Sequence, residues 1–315
     1  MTPHDEPADD RPERYAVIDA GTNSVKFHVG ERDPAGGWRT IVDRAEVTRL
    51  GEGLAARGAI GPEAIARTAD AIAGMTEEAR GAGVLAIAAV GTAGLRTAAN
   101  RDEVVASIYA RAGVHIDVIS GDDESHLAYV AVRDGLNLAD GSIVVFDTGG
   151  GSSQFTFGEG SRVDEWFSVD VGAARYTERF GLDGVVGAAV LRDAMAEIAQ
   201  DLSALAGRPR PDQLVGLGGA VTNMTAVHAR LHVYDPAVVQ GATLGADEVD
   251  RQIERYRSLD AEARRTIVGL QPARAEVILA GACIVRTILG LLDRTTLTVS
   301  DRGLRHGVLS ERFGP

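Results

Sequence analysis

From Tyr15 onward, apolar positions first run almost unbroken through YAVI and then alternate. A polar turn at Asp19 to Ser24 interrupts them, after which Val25, Phe27 and Val29 alternate with Lys26 and His28. An apolar run, a tight turn and a period of two predict a β-hairpin. The same design returns at 143–157, where IVVF enters DTGGGSS and Phe155 and Phe157 alternate with Gln154 and Thr156. Both copies read Asp-x-Gly-x-x-Ser, matching Asp19, Gly21 and Ser24 with Asp147, Gly149 and Ser152. Each loop leads into a strand rather than a helix, and neither carries GxxxxGK[ST] or GxGxxG, which excludes a nucleotide P-loop or a dinucleotide-binding turn at these places. The repeat predicts two similar halves, a duplicated α/β architecture with both loops facing one cleft.

Three further segments read as strand, loop and helix: LAIAAV at 85–90 into GTAGLR, HIDVIS at 115–120 into GDDESHLAYVAV, and LVGLGG at 214–219 into AVTNMTAVHARL. This alternation is that of α/β layers with ligand loops at the carboxyl ends of strands. The stretch 185–207 predicts an amphipathic helix, and the chain closes with a strand, LTVS, and a short helix that returns to the first half. The organisation expected is a disordered acidic tail at 1–13, a first domain at 14–130 and a second at 131–315.

Composition narrows the class. A chain of 315 residues, 45% of them hydrophobic, supplies cores for two domains. No apolar run is long enough to span a membrane, and the acidic, proline-bearing N-terminus lacks a signal-peptide core, so a cytoplasmic location is expected. The single cysteine, Cys283, lies in the apolar segment VILAGACIVRTILGLL, which excludes a disulfide framework and a cysteine-based zinc site and marks it as a buried small hydrophobe. A formal net charge of −13, without any run of Lys and Arg, argues against nucleic-acid binding. A phosphate substrate remains compatible where amides, a few arginines and metal make the site locally positive.

Candidate chemistry concentrates in the loops. Glycines let backbone N–H groups approach an anion, so Gly21, Thr22, Asn23 and Ser24, and Gly149, Gly150, Gly151, Ser152 and Ser153, are candidate phosphate ligands. Gly218 and Gly219, at the third junction, are a further candidate pair. Asp19 and Asp147 end buried strands, where a carboxylate is costly unless paired or bound to metal, and their hard oxygens suit Mg²⁺. Glu124 follows Asp122 and Asp123 in the first turn of a helix, where it either complements the helix dipole or takes a proton from an attacking water. Arg96 either clamps a phosphate or pairs with nearby Asp102 or Glu103. His228 and His232 have i, i+4 spacing, yet no glutamate follows His228 and no third ligand is evident, which points to a solvated or packed helix face rather than zinc.

Taken in order, IDAGTNSVKFHV, RLGEGL at 49–54, GTAGLRTAANRDEV at 91–104, VISGDDESHLAYVAV at 118–132, FDTGGGSSQFTF and VSDRGLRHGVL resemble the Ppx/GppA phosphatase family from Tyr15 onward. That resemblance implies a two-domain actin-like fold, a homodimer, Mg²⁺, and release of terminal phosphate from inorganic polyphosphate or from guanosine pentaphosphate. By motif, Glu124 matches the family's catalytic glutamate and Arg96 a phosphate-contacting arginine. Asp147 and Gly149 match the loop at the reacting phosphate, and Asp19 with Thr22, Asn23 and Ser24 the opposing loop. One position departs: the family pattern GGGST followed by Glu is here GGGSS followed by Gln154, and an amide neither serves as a general base nor holds metal as a carboxylate does. A binding-only sensor of polyphosphate or guanosine tetraphosphate is therefore the rival, ahead of an ATP-dependent kinase of the same superfold, for which no acceptor-site signature is present.

Overall fold

The computed structural model describes residues 12–34, 36–138 and 141–314. Residues 1–11 of the acidic tail lie outside the described residues. The chain forms two compact units: residues up to Leu127 together with those from Leu304 make the first, and Ala128–Gly303 make the second. The boundary falls inside the helix Gly121–Leu136, and the closing helix, Leu304–Phe313, belongs to the first unit.

In the first unit β1 (Arg14–Ala20), β2 (Ser24–Arg32), β3 (Trp38–Val47), β4 (Ala86–Gly91) and β5 (Asp117–Val118) form one sheet in the order β3-β2-β1-β4-β5. The hairpins β1–β2 and β2–β3 are antiparallel, whereas β1–β4 and β4–β5 are parallel crossovers. Helices α1 (Pro62–Gly81) and α2 (Arg101–Ala112) cover one face, where Ile18, Phe27, Ile72 and Ile108 share a core. On the other face Val17 and Val90 pack with Leu127, Leu304 and Val308, so the start of α3 (Gly121–Leu136) and the closing helix cover it. This second cover changes what alternation implies for β2. His28, which the period of two sets against the apolar positions, is only 1% exposed because the closing helix packs on β1 and β2. A strand covered on both faces buries both sets of side chains.

The second unit repeats the plan. Strands β6 (Ser142–Thr148), β7 (Ser153–Glu159), β8 (Arg162–Val169), β9 (Gln213–Leu217), β10 (Thr243–Gly245) and β11 (Thr296–Val299) are ordered β10-β11-β9-β6-β7-β8. Taken from β8, the series β8-β7-β6-β9-β11 reproduces β3-β2-β1-β4-β5 with the same sense at every pairing, and β10 is an added antiparallel edge. Even the irregularities match: the register shifts between Val29 and Gly30 in one sheet and between Phe157 and Gly158 in the other, at the same offset from Ser24 and Ser152. The duplication foreseen from the two hairpins is thus present, and the fold is the two-domain actin-like one. The unit's larger core gathers α4 (Ala188–Asp201), α5 (Gly219–His228), α6 (Ala246–Arg257) and α7 (Ile278–Leu291). Cys283 sits in it fully buried, and burial pushes its thiol up to about 12, consistent with an inert packing role. Among the described residues no helix is long and apolar enough to cross a membrane.

Candidate active site

The two hairpin turns share one closing hydrogen bond. Gly21 N–H donates to Ser24 O at 3.1 Å, and Gly149 N–H donates to Ser152 O at 2.9 Å. Strand register then sets Asp19 between Lys26 and Val90, and Asp147 between Gln154 and Leu217, so each carboxylate has one polar cross-strand neighbour, the one in its own hairpin.

In the first unit three sequence motifs converge on Thr22. Its carbonyl accepts from Gly51 N–H at 2.7 Å, and Asn23 O accepts from Thr48 and Arg49 N–H at 3.1 and 2.8 Å. A Cβ on Gly51 would collide with the Thr22 side chain, and one on Gly94 would stand 3.0 Å from Thr22 Oγ1. RLGEGL and GTAGLR therefore need glycine where they touch the first loop. Asp19 is 2% exposed: its Oδ2 lies 3.5 Å from the Lys26 ammonium, while the buried Oδ1 accepts no hydrogen bond from any described residue. Such an orphaned acceptor is what a cation would satisfy.

Arg96 and Glu124 are brought together. Arg96 lies in a one-turn helix of its own, Ala93–Thr97, rather than at the start of α2, and it donates to Glu124 Oε2 at 2.6 Å and to Ile119 O at 3.1 Å. Pairing with Asp102 or Glu103 is not what holds it. Ser120 caps α3, its Oγ accepting from Asp123 N–H at 3.0 Å and donating to the Asp123 carboxylate at 2.7 Å, while Glu124 N–H bonds Ser120 O at 3.0 Å. Asp123 thus serves the cap. Glu124, with its side chain 13% exposed, is instead oriented by a guanidinium. A carboxylate fixed by a charge-assisted bond at the end of a strand-loop-helix junction is suited to position a water and receive its proton.

In the second unit the glycine loop is strapped to the helix Ala173–Phe180. Ala173 N–H donates to Gly149 O, and Ala174 N–H to Gly150 O, both at 2.9 Å. Ser153 departs from expectation: it is fully buried and its hydroxyl donates to Val171 O at 2.7 Å, so it anchors the loop rather than offering a donor to phosphate. Gly218 and Gly219 earn a physical reason for lacking a side chain. At φ +88 a Cβ on Gly218 would run into Asp147 Oδ1, and one on Gly219 would meet Arg274 Cζ at 2.5 Å.

Arg274 and Asn223 are the residues that sequence reasoning missed. Burial pushes the Arg274 guanidinium down from its ordinary value and the Asp147 carboxylate opposes that; the group remains cationic. Asn223 joins the two segments, donating to Gly219 O at 2.9 Å and accepting from Gln271 N–H at 2.8 Å. The pair His228 and His232, by contrast, forms no zinc face: α5 ends at His228, whose Nδ1 lies 3.4 Å from Glu248, and His232 falls beyond the helix.

A model of the Ppx/GppA phosphatase family matches residues 31–314. The chain belongs to that family. It is 29% identical over 311 residues to exopolyphosphatase 2 of Mycobacterium tuberculosis, covering 94% of this chain and 97% of that one. Against the guanosine-5′-triphosphate,3′-diphosphate pyrophosphatase of Photobacterium profundum it is 27% identical over 306 residues, covering 94% of this chain and 59% of that protein. The crystal structure of the Aquifex aeolicus Ppx/GppA member superposes with a TM-score of 0.83 at 29% identity, over 96% of this chain and 98% of that one. Within the Ppx/GppA frame, the register locates the sequence departure at Gln154: it stands directly across the ladder from Asp147, the position that Lys26 holds against Asp19.

Proposed function

We propose that this chain is an exopolyphosphatase, releasing terminal orthophosphate from inorganic polyphosphate by attack of water on phosphorus. The observation that carries this is Glu124, fixed by Arg96 at a capped helix start in the unit that also holds the first Asp-Gly-Ser loop. Two-way coverage supports polyphosphate over guanosine pentaphosphate: the match spans nearly all of a protein named exopolyphosphatase but 59% of the guanosine pentaphosphate relative.

In this mechanism Glu124 orients the water and takes its proton as the new P–O bond forms, while the anhydride P–O bond breaks and the shortened chain departs as the leaving group. Loop amides and Arg96 offset the charge that develops on phosphoryl oxygens, and in the second unit Arg274 adds positive charge at the Asp147 loop. Asp19 in the first unit and Asp147 in the second are each a residue that would hold Mg²⁺, and the orphaned Asp19 Oδ1 fits that assignment. When bound, Mg²⁺ supplies neutralisation of phosphate oxygen charge. The resemblance that implies Mg²⁺ also underlies our assignment of the protein as a homodimer, for which light scattering on the purified chain is the test.

Phosphate release measured with and without Mg²⁺ on short polyphosphate, long polyphosphate, guanosine pentaphosphate and ATP tests the reading. Polyphosphate is expected to be turned over fastest. Tight polyphosphate binding without release would favour the sensor, the reading that Gln154 keeps open; ATP consumption with transfer to an acceptor would favour a kinase. Gln154 also yields a directional expectation. Restoring a carboxylate beside Asp147 with Gln154→Glu lowers the Mg²⁺ concentration for half-maximal release several-fold, read from a metal titration of initial rates; an unchanged or raised requirement means that Gln154 does not face the metal.

A further inference from the structure

Outside the site just described, one cluster in the first unit holds metal-ligating groups of the right kinds. His28 on β2, Asp43 on β3 and His306 on the closing helix each offer an atom, and these atoms all lie within 4.8 Å of one another. We propose that His28 Nδ1, His306 Nε2 and Asp43 Oδ2 form a site for one borderline divalent transition metal, with zinc the natural occupant, that ties the closing helix to the sheet.

Three observations carry the proposal. First, His28 is 1% exposed and its Nδ1 has no hydrogen-bond partner among the described residues, a buried polar atom aimed into the cluster that a metal would satisfy. Second, the spacing is close to that of a bound set. Asp43 Oδ2 lies 3.8 Å from His28 Nδ1 and 3.6 Å from His306 Nε2, whereas ligand atoms around a tetrahedral zinc stand about 3.3 Å apart. Shifts of about 0.3 to 0.5 Å bring these two contacts to that spacing, and the two ring nitrogens lie within 4.8 Å of each other. Third, the carboxylate is held from behind: Arg305 donates to Asp43 Oδ1 and Oδ2 at 2.7 and 2.8 Å, the kind of outer-shell bond that orients a ligating carboxylate.

The donor set separates this site from the proposed Mg²⁺ carboxylates. Two imidazoles and one carboxylate suit zinc, cobalt or nickel, while Mg²⁺ prefers oxygen ligands and its own waters. Three protein ligands leave a further position for water, and the 13% and 14% side-chain exposure of Asp43 and His306 gives it an entry. The consequence is structural. The closing helix returns to the first unit from the far end of the sequence, and a metal shared by β2, β3 and that helix stabilises the docked state by mass action.

The test uses the full, untagged chain stripped of metal and titrated with Co²⁺ in excess Mg²⁺, read by the visible absorption of low-symmetry Co²⁺. One Co²⁺ per chain is expected, displaced by Zn²⁺, and Zn²⁺ raises the melting temperature. His306→Ala and His28→Gln each weaken Co²⁺ binding by at least about tenfold, the lower end of the effect of losing even an outer-shell partner, and abolish the Zn²⁺-dependent melting shift. Glu124→Gln and Asp147→Asn leave the Co²⁺ spectrum unchanged. Should His28→Gln fail to fold, His306→Ala, at a more exposed position, carries the comparison. Absence of a saturable Co²⁺ signal in the parent protein, or a signal that survives the histidine substitutions in folded protein, overturns the site.

Discussion

Glu124→Gln is expected to lower the rate of phosphate release from polyphosphate by about 10²–10⁴-fold, the usual worth of a positioned general base. The substitution is conservative where it matters for structure. A glutamine carbonyl still accepts from Arg96, whose guanidinium now donates to Glu124 at 2.6 Å, and the Ser120 cap that begins α3 does not involve the residue 124 side chain. Melting temperature and polyphosphate affinity should therefore stay close to those of the parent, so that the whole change appears in kcat. In free energy the loss corresponds to about 3–5 kcal/mol of barrier. Turnover within a few-fold of the parent would remove Glu124 from its role and leave the Arg96–Glu124 pair a structural one.

What was legible beforehand follows from how local each signal is. The hairpins and their twin loops were readable because a period of two and a glycine turn are written in consecutive residues, and the registers Asp19 to Lys26 and Asp147 to Gln154 follow from turn length alone. Glu124 and Arg96 were each visible by motif, but their bond was not, since it spans 28 positions and depends on how the one-turn helix Ala93–Thr97 stands beside α3. Arg274 had no local sign at all. It precedes an apolar helix as any surface arginine would, and only the closeness of Gly219 and Asp147 gives it meaning.

Tertiary cover also reversed two local inferences. Ser153 belongs to a run of loop hydroxyls, yet the strand it opens turns it inward to Val171. His28 occupies the alternate register of β2, yet the closing helix buries it and brings His306 alongside, with ring centroids 4.5 Å apart. Histidines four apart in sequence, His228 and His232, found no shared face because the helix stopped between them. Proximity along the chain was a poor guide to metal chemistry; proximity after folding placed residues 28, 43 and 306 together.

The largest loss of stability is expected from Arg264→Leu in the second unit. Arg264 is 0% exposed, and its guanidinium donates to the carbonyls of Tyr256 and Leu182, each at 2.8 Å, and of Gly184 and Ala275 at 2.9 and 3.3 Å. Burial pushes the group down from its ordinary value, with the nearby Asp183 and Asp260 opposing, and the planar fork with its several donors compensates for desolvation by meeting carbonyls from separate segments. Leucine fills part of the volume but removes the guanidinium donors from those carbonyls, of which Tyr256 O keeps the Leu259 N–H at 3.2 Å. Losing these buried donors costs about 1–3 kcal/mol for each acceptor left unpaired, visible as a lowered denaturant midpoint for the second unit. Arg264→Lys keeps the charge but cannot reach all four acceptors, and should fall between. Because Ala275 follows Arg274 directly, loosening this knot also releases the segment that carries Arg274 to Asp147, so kcat should fall in Arg264→Lys under conditions where the variant remains folded. A loss of unfolding free energy below about 1 kcal/mol in Arg264→Leu would mean that water reaches those carbonyls and that the buried arginine is dispensable to the fold.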